Sequence, residues 1–247
     1  MPSDLPLALR APRADPFAAI VFDLDNTLID ADTAYAEALA ALGIDPEGDA
    51  YAQARRTVKR RLGPGHVCAH NRLLYFKCML EAEAKRAGPR RLLALMRAYE
   101  EKLAACVQAQ WQKAGRSTLV AALRQRQAGQ YRRPCLILTN ENTRTQLLKL
   151  EAIDPNGTLF DGMLTSEELG LEKPHPATFA AAQARLGVTA ERCLMVGDDP
   201  VADIAAARAQ GMATAWTGEF RRGPTPDLPA DTCQLRRLDE LLEHYAW

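Results

Sequence analysis

A basic excess is absent from this chain. Lysine plus arginine total 31, and aspartate plus glutamate also total 31. A general nucleic-acid binder, which gathers basic residues, is thereby excluded, while a local anion site is not. A membrane-spanning run is absent as well, since no apolar stretch approaches the ~20 residues that a bilayer requires. The opening MPSDLPLALRAPRADP is broken by prolines and arginines and lacks the apolar centre of a secretory signal. These absences predict a cytoplasmic protein with no nucleic-acid or membrane partner. The six cysteines (68, 78, 106, 135, 193 and 233) form no CxxC pair and show no metal-ligand spacing. Several sit in apolar runs, so free thiols in a reducing compartment are expected. Internal repeats and low-complexity segments are missing too.

What is present is a set of short apolar runs. AAIVF stops just before Asp23, CLILT ends at Thr139, RCLMVG at Gly197 and MATAW at Trp216. Buried runs of this length, alternating with helical patterns, predict an α/β fold with a parallel sheet. Ligands of such sheets lie beyond the carboxyl ends of the strands. Three of the runs lead directly into polar residues there: Asp23, Thr139 and Asp198. From about residue 32 to 113 no strand candidate occurs. Helical spacing links Tyr35, Leu39 and Leu42, then Leu73, Phe76 and Leu80, then Leu92, Leu95, Tyr99, Leu103, Cys106 and Gln110. The expected organisation is a loose tail over 1–16, an α/β core over 17–32 and 114–247, and a helical domain over 33–113.

Four segments carry candidate chemistry. In IVFDLDNTLID, Asp23 and Asp25 are two residues apart where a strand ends, so their side chains share a direction while the chain stays extended. Two adjacent carboxylates are unfavourable unless a proton or cation is shared, and Mg²⁺ prefers oxygen ligands. In VGDDPVADI, Asp198 ends a strand, Asp199 before Pro200 fits a helix N-cap, and Asp203 lies one helical turn further on. In LTNENT, Thr139 ends a strand and Asn142 or Thr143 can cap the following helix, whose free N–H groups suit a phosphate oxygen. In LEKPHPATF, Lys173 precedes Pro174, and Pro176 fits a helix start.

Together, in order, these segments resemble the four motifs of the haloacid dehalogenase superfamily of phosphohydrolases. The resemblance spans the α/β part of the chain, and the details are most similar to small-metabolite phosphatases such as nucleotide and sugar-acid phosphatases. It implies a Rossmann-like parallel core with an inserted α-helical bundle acting as a cap. It also implies a Mg²⁺-dependent phosphatase of a small phosphorylated metabolite, working through an aspartyl phosphate. Asp23 would be the nucleophile and Asp25 the acid/base. Asp23, Asp25 through its carbonyl, and Asp198 would hold Mg²⁺, with Asp199 or Asp203 assisting. Thr139, Asn140 and Lys173 would hold the phosphoryl oxygens. Asp25 favours phosphoester over carbon–halogen chemistry, because a leaving alcohol needs a proton. A phosphomutase with the same intermediate, or a non-catalytic phosphate-binding module, are the alternatives. Glu141 departs from the small residue often found after Thr139-Asn140, and a carboxylate there must turn outward or meet a cation or a substrate donor. In the cap, His70, Asn71, Arg72 and Lys77 are the candidates for substrate contact. The pairs Arg55/Lys59 and Arg56/Arg60 are expected on a solvated helix face.

Overall fold

The computed structural model describes residues 13–14, 17–84, 88–125 and 132–246. Of the expected N-terminal tail, β1 (Arg13–Ala14) pairs in parallel with β8 (Tyr245–Ala246), and most of the remainder lies outside the described residues. The main sheet holds β2 (Ala19–Phe22), β3 (Cys135–Thr139), β4 (Gly162–Thr165), β5 (Cys193–Gly197), β6 (Ala213–Thr217) and β7 (Cys233–Leu235). Its order is β4-β3-β2-β5-β6-β7 and every neighbouring pair is parallel. The four apolar runs are β2, β3, β5 and β6, with bounds within a residue or two of those expected. The edge strands β4 and β7 are additions to that expectation.

Alternation of side chains divides the apolar residues of the central strands between two cores. Ile20, Phe22, Ile137, Leu194 and Val196 face one way. Val21, Leu136, Leu138 and Met195 face the other, against Phe179 and Ala182 of α8 (Pro176–Leu186). Because β2 is flanked by β3 and β5, the chain segments beginning at Asp23, Thr139 and Asp198 leave the sheet side by side.

Between β2 and β3 lie α1 (Ala31–Ala40), α2 (Asp49–Leu62), α3 (Arg72–Ala84), α4 (Pro89–Lys113) and α5 (Arg116–Arg124). Helix α1 packs on α4, α2 on α3, and α4 also on α6 (Thr143–Ile153). Tyr51, Phe76 and Tyr99 interleave their rings at the centre of this insertion. After β4 come α7 (Ser166–Leu169) and α8. A π-helical turn, Pro200–Ala205, continues into α9 (Ala206–Ala209), and α10 (Leu241–His244) closes the chain before β8. None of the six cysteines is paired in a disulfide among the described residues, and Cys135, Cys193 and Cys233 are buried. No described helix is long and apolar enough to cross a membrane.

Candidate active site

The loop after β2 places the first two carboxylates. Asp23 donates its backbone N–H to the Val196 carbonyl at 2.9 Å, so it still runs beside β5. Asn26 then takes a left-handed conformation (φ 60°), which asparagine tolerates better than most residues. Its N–H meets the Ile29 carbonyl at 2.8 Å and closes the turn. Asp30 caps α1 by accepting from Thr33 N. Gln110 of α4 brackets the Asp30 backbone with two 3.1 Å hydrogen bonds and ties the insertion to this loop.

Behind β5, Asp199 and Asp203 separate in role. The Asp199 carboxylate accepts from Val201 N at 2.8 Å and Ala202 N at 2.7 Å, so it caps the π-helical turn and stays exposed. Asp203 is buried and turns back towards Asp23. Gly197 permits this approach, since a Cβ there would lie 2.4 Å from Asp203 Oδ2. Asp23, Asp198 and Asp203 each present a carboxylate oxygen within 4.8 Å of the others. Lys173 Nζ lies 2.7 Å from Asp23 Oδ1 and 2.6 Å from Asp203 Oδ1. Asn140 holds the backbone of Lys173 from both sides, accepting its N–H at 2.8 Å and donating to its carbonyl at 2.7 Å.

The electrostatics are those of a site short of positive charge. Burial raises Asp23 above its ordinary pKa, and the Asp203 charge adds to this while Lys173 opposes it. Burial likewise raises Asp198, with Asp23 and Asp203 contributing. For Lys173 burial acts downwards, but Asp203 and Asp23 outweigh it and hold the ammonium above its ordinary range. An all-oxygen donor set with surplus negative charge fits a hard divalent cation such as Mg²⁺.

Asp25 occupies a different environment. Lys149 Nζ lies 2.6 and 2.8 Å from its two oxygens, Gln146 Nε2 donates at 3.2 Å and Tyr35 OH at 3.1 Å. Burial favours protonation of Asp25, but the Lys149 charge and hydrogen bond prevail and its pKa falls below the ordinary value. The Lys149 side chain is fully buried. Gln146 also donates to Thr139 Oγ1 at 2.7 Å. Lys149, Gln146 and Tyr35 were not among the sequence candidates. The one signal available was a glutamine and a lysine three residues apart on a helix that follows a strand end.

Glu141 meets the cation that its position requires. Arg72 Nη1 lies 2.6 Å from Glu141 Oε2, the Tyr35 hydroxyl donates to the same oxygen at 3.3 Å, and Asn142 N and Nδ2 donate to Oε1. The Arg72 guanidinium stacks 3.9 Å above the Tyr35 ring. Of the other insertion candidates, His70 Nε2 stands 3.6 Å from Glu172 of the core. Asn71 accepts from Leu73 N at 3.0 Å and caps α3. Lys77 is exposed and pairs along α3 with Glu81. The structure thus brings Asp23, Asp25, Asp198, Asp203, Thr139, Asn140, Lys173 and Arg72 to one region. It leaves Asp199, Asn71 and Lys77 in local contacts. A cavity of about 510 Å³ opens beside this region and is lined from both sides, by Asn26 and Asp198 of the core and by Tyr35, Tyr51, Arg55 and Arg72 of the insertion.

A family model for haloacid dehalogenase-like hydrolases matches residues 17–211. The chain belongs to that family. Ribulose-1,5-bisphosphate 5-phosphatase of Halopiger xanaduensis is 36% identical over 211 residues, covering 79% of this chain and 82% of that protein. Phosphoserine phosphatase of Thermus thermophilus is 38% identical over a shorter stretch, 31% of this chain and 30% of that one. Among solved structures, the magnesium-bound HAD-hydrolase YfnB of Bacillus subtilis aligns with a TM-score of 0.62 at 22% identity, over 95% of this chain and 98% of that one. The 2-haloacid dehalogenase of Pseudomonas syringae aligns with a TM-score of 0.64 at 22% identity, over 92% and 97%. These structures share the fold. With its phosphatase relatives, the chain is a phosphohydrolase of the family, in class a phosphoric monoester hydrolase.

Proposed function

We propose that the protein is a Mg²⁺-dependent phosphatase of a small phosphorylated metabolite, acting through an aspartyl phosphate on Asp23. The observation that carries this reading is the juxtaposition of two unlike carboxylates. Asp23 lies in an acidic, cation-demanding cluster with Lys173, and Asp25 is held apart by its own donors. Asp23, Asp198 and Asp203 would hold the metal, together with the Asp25 carbonyl. A bound Mg²⁺ supplies the positive charge that lets an anionic nucleophile meet an anionic phosphate.

Asp23 attacks phosphorus as the ester oxygen departs, and Asp25 gives that oxygen its proton. In the second half, water attacks the phosphoryl group, Asp25 takes the water proton, and the Asp23–phosphorus bond breaks. Lys149 keeps Asp25 ionised in the free enzyme, which is the form the second half needs. An arriving phosphate dianion raises the Asp25 pKa and so supplies the proton-bearing form for the first half. Lys173, Thr139 and the backbone N–H of Asn140 hold phosphoryl oxygens. The helical insertion is the cap, and Arg72 is its contribution to the site. With no disulfide among its described residues, the protein is expected to work in the cytoplasm.

Phosphate release should be measured over nucleotides, sugar phosphates, phosphoserine, ribulose 1,5-bisphosphate and p-nitrophenyl phosphate. Chelator should abolish release and added Mg²⁺ restore it. Full activity in metal-free protein contradicts the proposed metal site, and phosphate transfer to a sugar phosphate instead of water makes the protein a mutase.

A further inference from the structure

The cavity beside Asp198 carries more cationic capacity than the phosphatase chemistry uses. Arg72 is committed to Glu141. Three further arginines line the space: Arg55 on α2 of the insertion, and Arg221 and Arg222 on the core turn that follows β6. No described carboxylate lies within ion-pair distance of these three. Arg221 donates through Nε to the Pro224 carbonyl at 2.9 Å, and Arg222 donates through Nη2 to Thr33 Oγ1 at 3.4 Å, so both guanidinium groups retain free N–H donors.

The acids around the same space are mostly engaged. Asp30 caps α1, Asp32 bonds Asn26, and Asp198 belongs to the acidic cluster. Only Glu47, at the exposed rim, is uncommitted. The turn carrying the two core arginines is anchored. Glu219 is held by the fully buried Arg116 and accepts from Leu238 N at 2.8 Å, while Gly218 N bonds the Leu235 carbonyl at 2.9 Å.

We propose that Arg55, Arg221 and Arg222 form a second-phosphate site, and that the substrate is a small bisphosphate whose distal phosphate sits between insertion and core while its other phosphoester meets Asp23. Three arginines lining one cavity from two sides suit a phosphate, which offers three oxygens in three directions. A carboxylate is planar and is satisfied by one arginine fork. At about 510 Å³ the cavity is of the size that takes a small metabolite. The proposal rests on the phosphatase reading and adds the substrate class to it.

The test pairs each bisphosphate with a monophosphate of the same skeleton, namely ribulose 1,5-bisphosphate with ribulose 5-phosphate and fructose 1,6-bisphosphate with fructose 6-phosphate. 3-Phosphoglycerate is the carboxylate arm. In the wild type, kcat/KM for at least one bisphosphate should exceed that for its partner by about tenfold or more. Arg55→Gln and Arg222→Gln should each reduce that ratio, chiefly through KM, and Arg55→Lys should restore part of it. The substituted side chains are exposed, and a thermal melt checks that each variant is folded. The proposal is overturned if every monophosphate equals its bisphosphate, if the ratio survives both substitutions, or if 3-phosphoglycerate is the best substrate. Absence of phosphate release from every ester, p-nitrophenyl phosphate included, is the separate failure of the phosphatase reading, and it overturns this proposal with it.

Discussion

Three donor groups meet the Asp25 carboxylate, and the fully buried Lys149 is the dominant one. A lysine there costs desolvation and is sustained only by its partner. Removing it as Lys149→Met leaves Asp25 partly buried without its cation, which should cost on the order of 3 kcal/mol of stability. The same change raises the Asp25 pKa, so more of this carboxyl is protonated and unavailable as the base, and hydrolysis of the aspartyl phosphate should slow by roughly tenfold or more. With p-nitrophenyl phosphate the variant should release a burst of p-nitrophenol of about one equivalent per site, followed by a slow steady rate. Linear release at the wild-type rate from the first turnover would show that Lys149 serves stability alone.

At the scale of elements, β5 and the π-helical turn after it form one device. Gly197 ends the strand and leaves room for Asp203 to fold back over it. Gly197→Ala should push Asp203 out of the acidic cluster. A Mg²⁺ titration of activity should then show half-saturation about tenfold higher or more, as disturbance of a group that orients metal ligands commonly does. An unchanged titration would mean that Asp203 does not support the metal. The central strands were legible because each is a continuous apolar run that stops at a polar residue. The edges were not: β4 begins at a glycine and has four residues, and β7 has three. Asp23, Thr139, Lys173 and Asp198 were legible for the same local reason, as polar residues at strand ends or before a helix. Lys149 and Gln146 were hidden because they reach Asp25 across 124 and 121 residues of sequence. Their helix also buries Thr145, Gln146, Lys149 and Ile153 while leaving Leu147 53% exposed, against its apolar pattern. Glu141 was noticed as a departure, and only the fold supplies Arg72 as its partner.

For the whole molecule, core and insertion are joined through charged and polar contacts at the site, with Arg72 to Glu141, Tyr35 to Asp25 and Gln110 to Asp30. Stability should therefore respond to what occupies the acidic cluster. In the metal-free protein burial first, then neighbouring charge, raises Asp23 to about 7 and Asp198 to about 8. A raised carboxylate means that the folded state binds protons more tightly than the unfolded chain. Its stabilising contribution is full below the unfolded value near 4 and is lost as pH rises through about 7 to 8. Mg²⁺ bound as proposed would compete with those protons and relieve the repulsion that remains above this window. The gain in Tm on adding Mg²⁺ should thus grow as pH is raised from about 5.5 to about 8.5. A gain that is constant or largest at low pH would contradict the assignment of these carboxylates to the metal.

In the proposed reaction Asp23 carries the phosphoryl group and Asp25 moves the protons. The most direct measurement uses Asp25→Ala with Mg²⁺ and p-nitrophenyl phosphate, quenched in acid and examined by peptide mass spectrometry. p-Nitrophenol leaves without a proton, so the first half should proceed while the second stalls for want of a base. An added phosphoryl mass is expected on Asp23, weaker when an alkyl phosphate is the substrate and absent when Asp23→Asn is combined with Asp25→Ala. A phosphoryl group on any other residue, or wild-type turnover of both esters by Asp25→Ala, would contradict it.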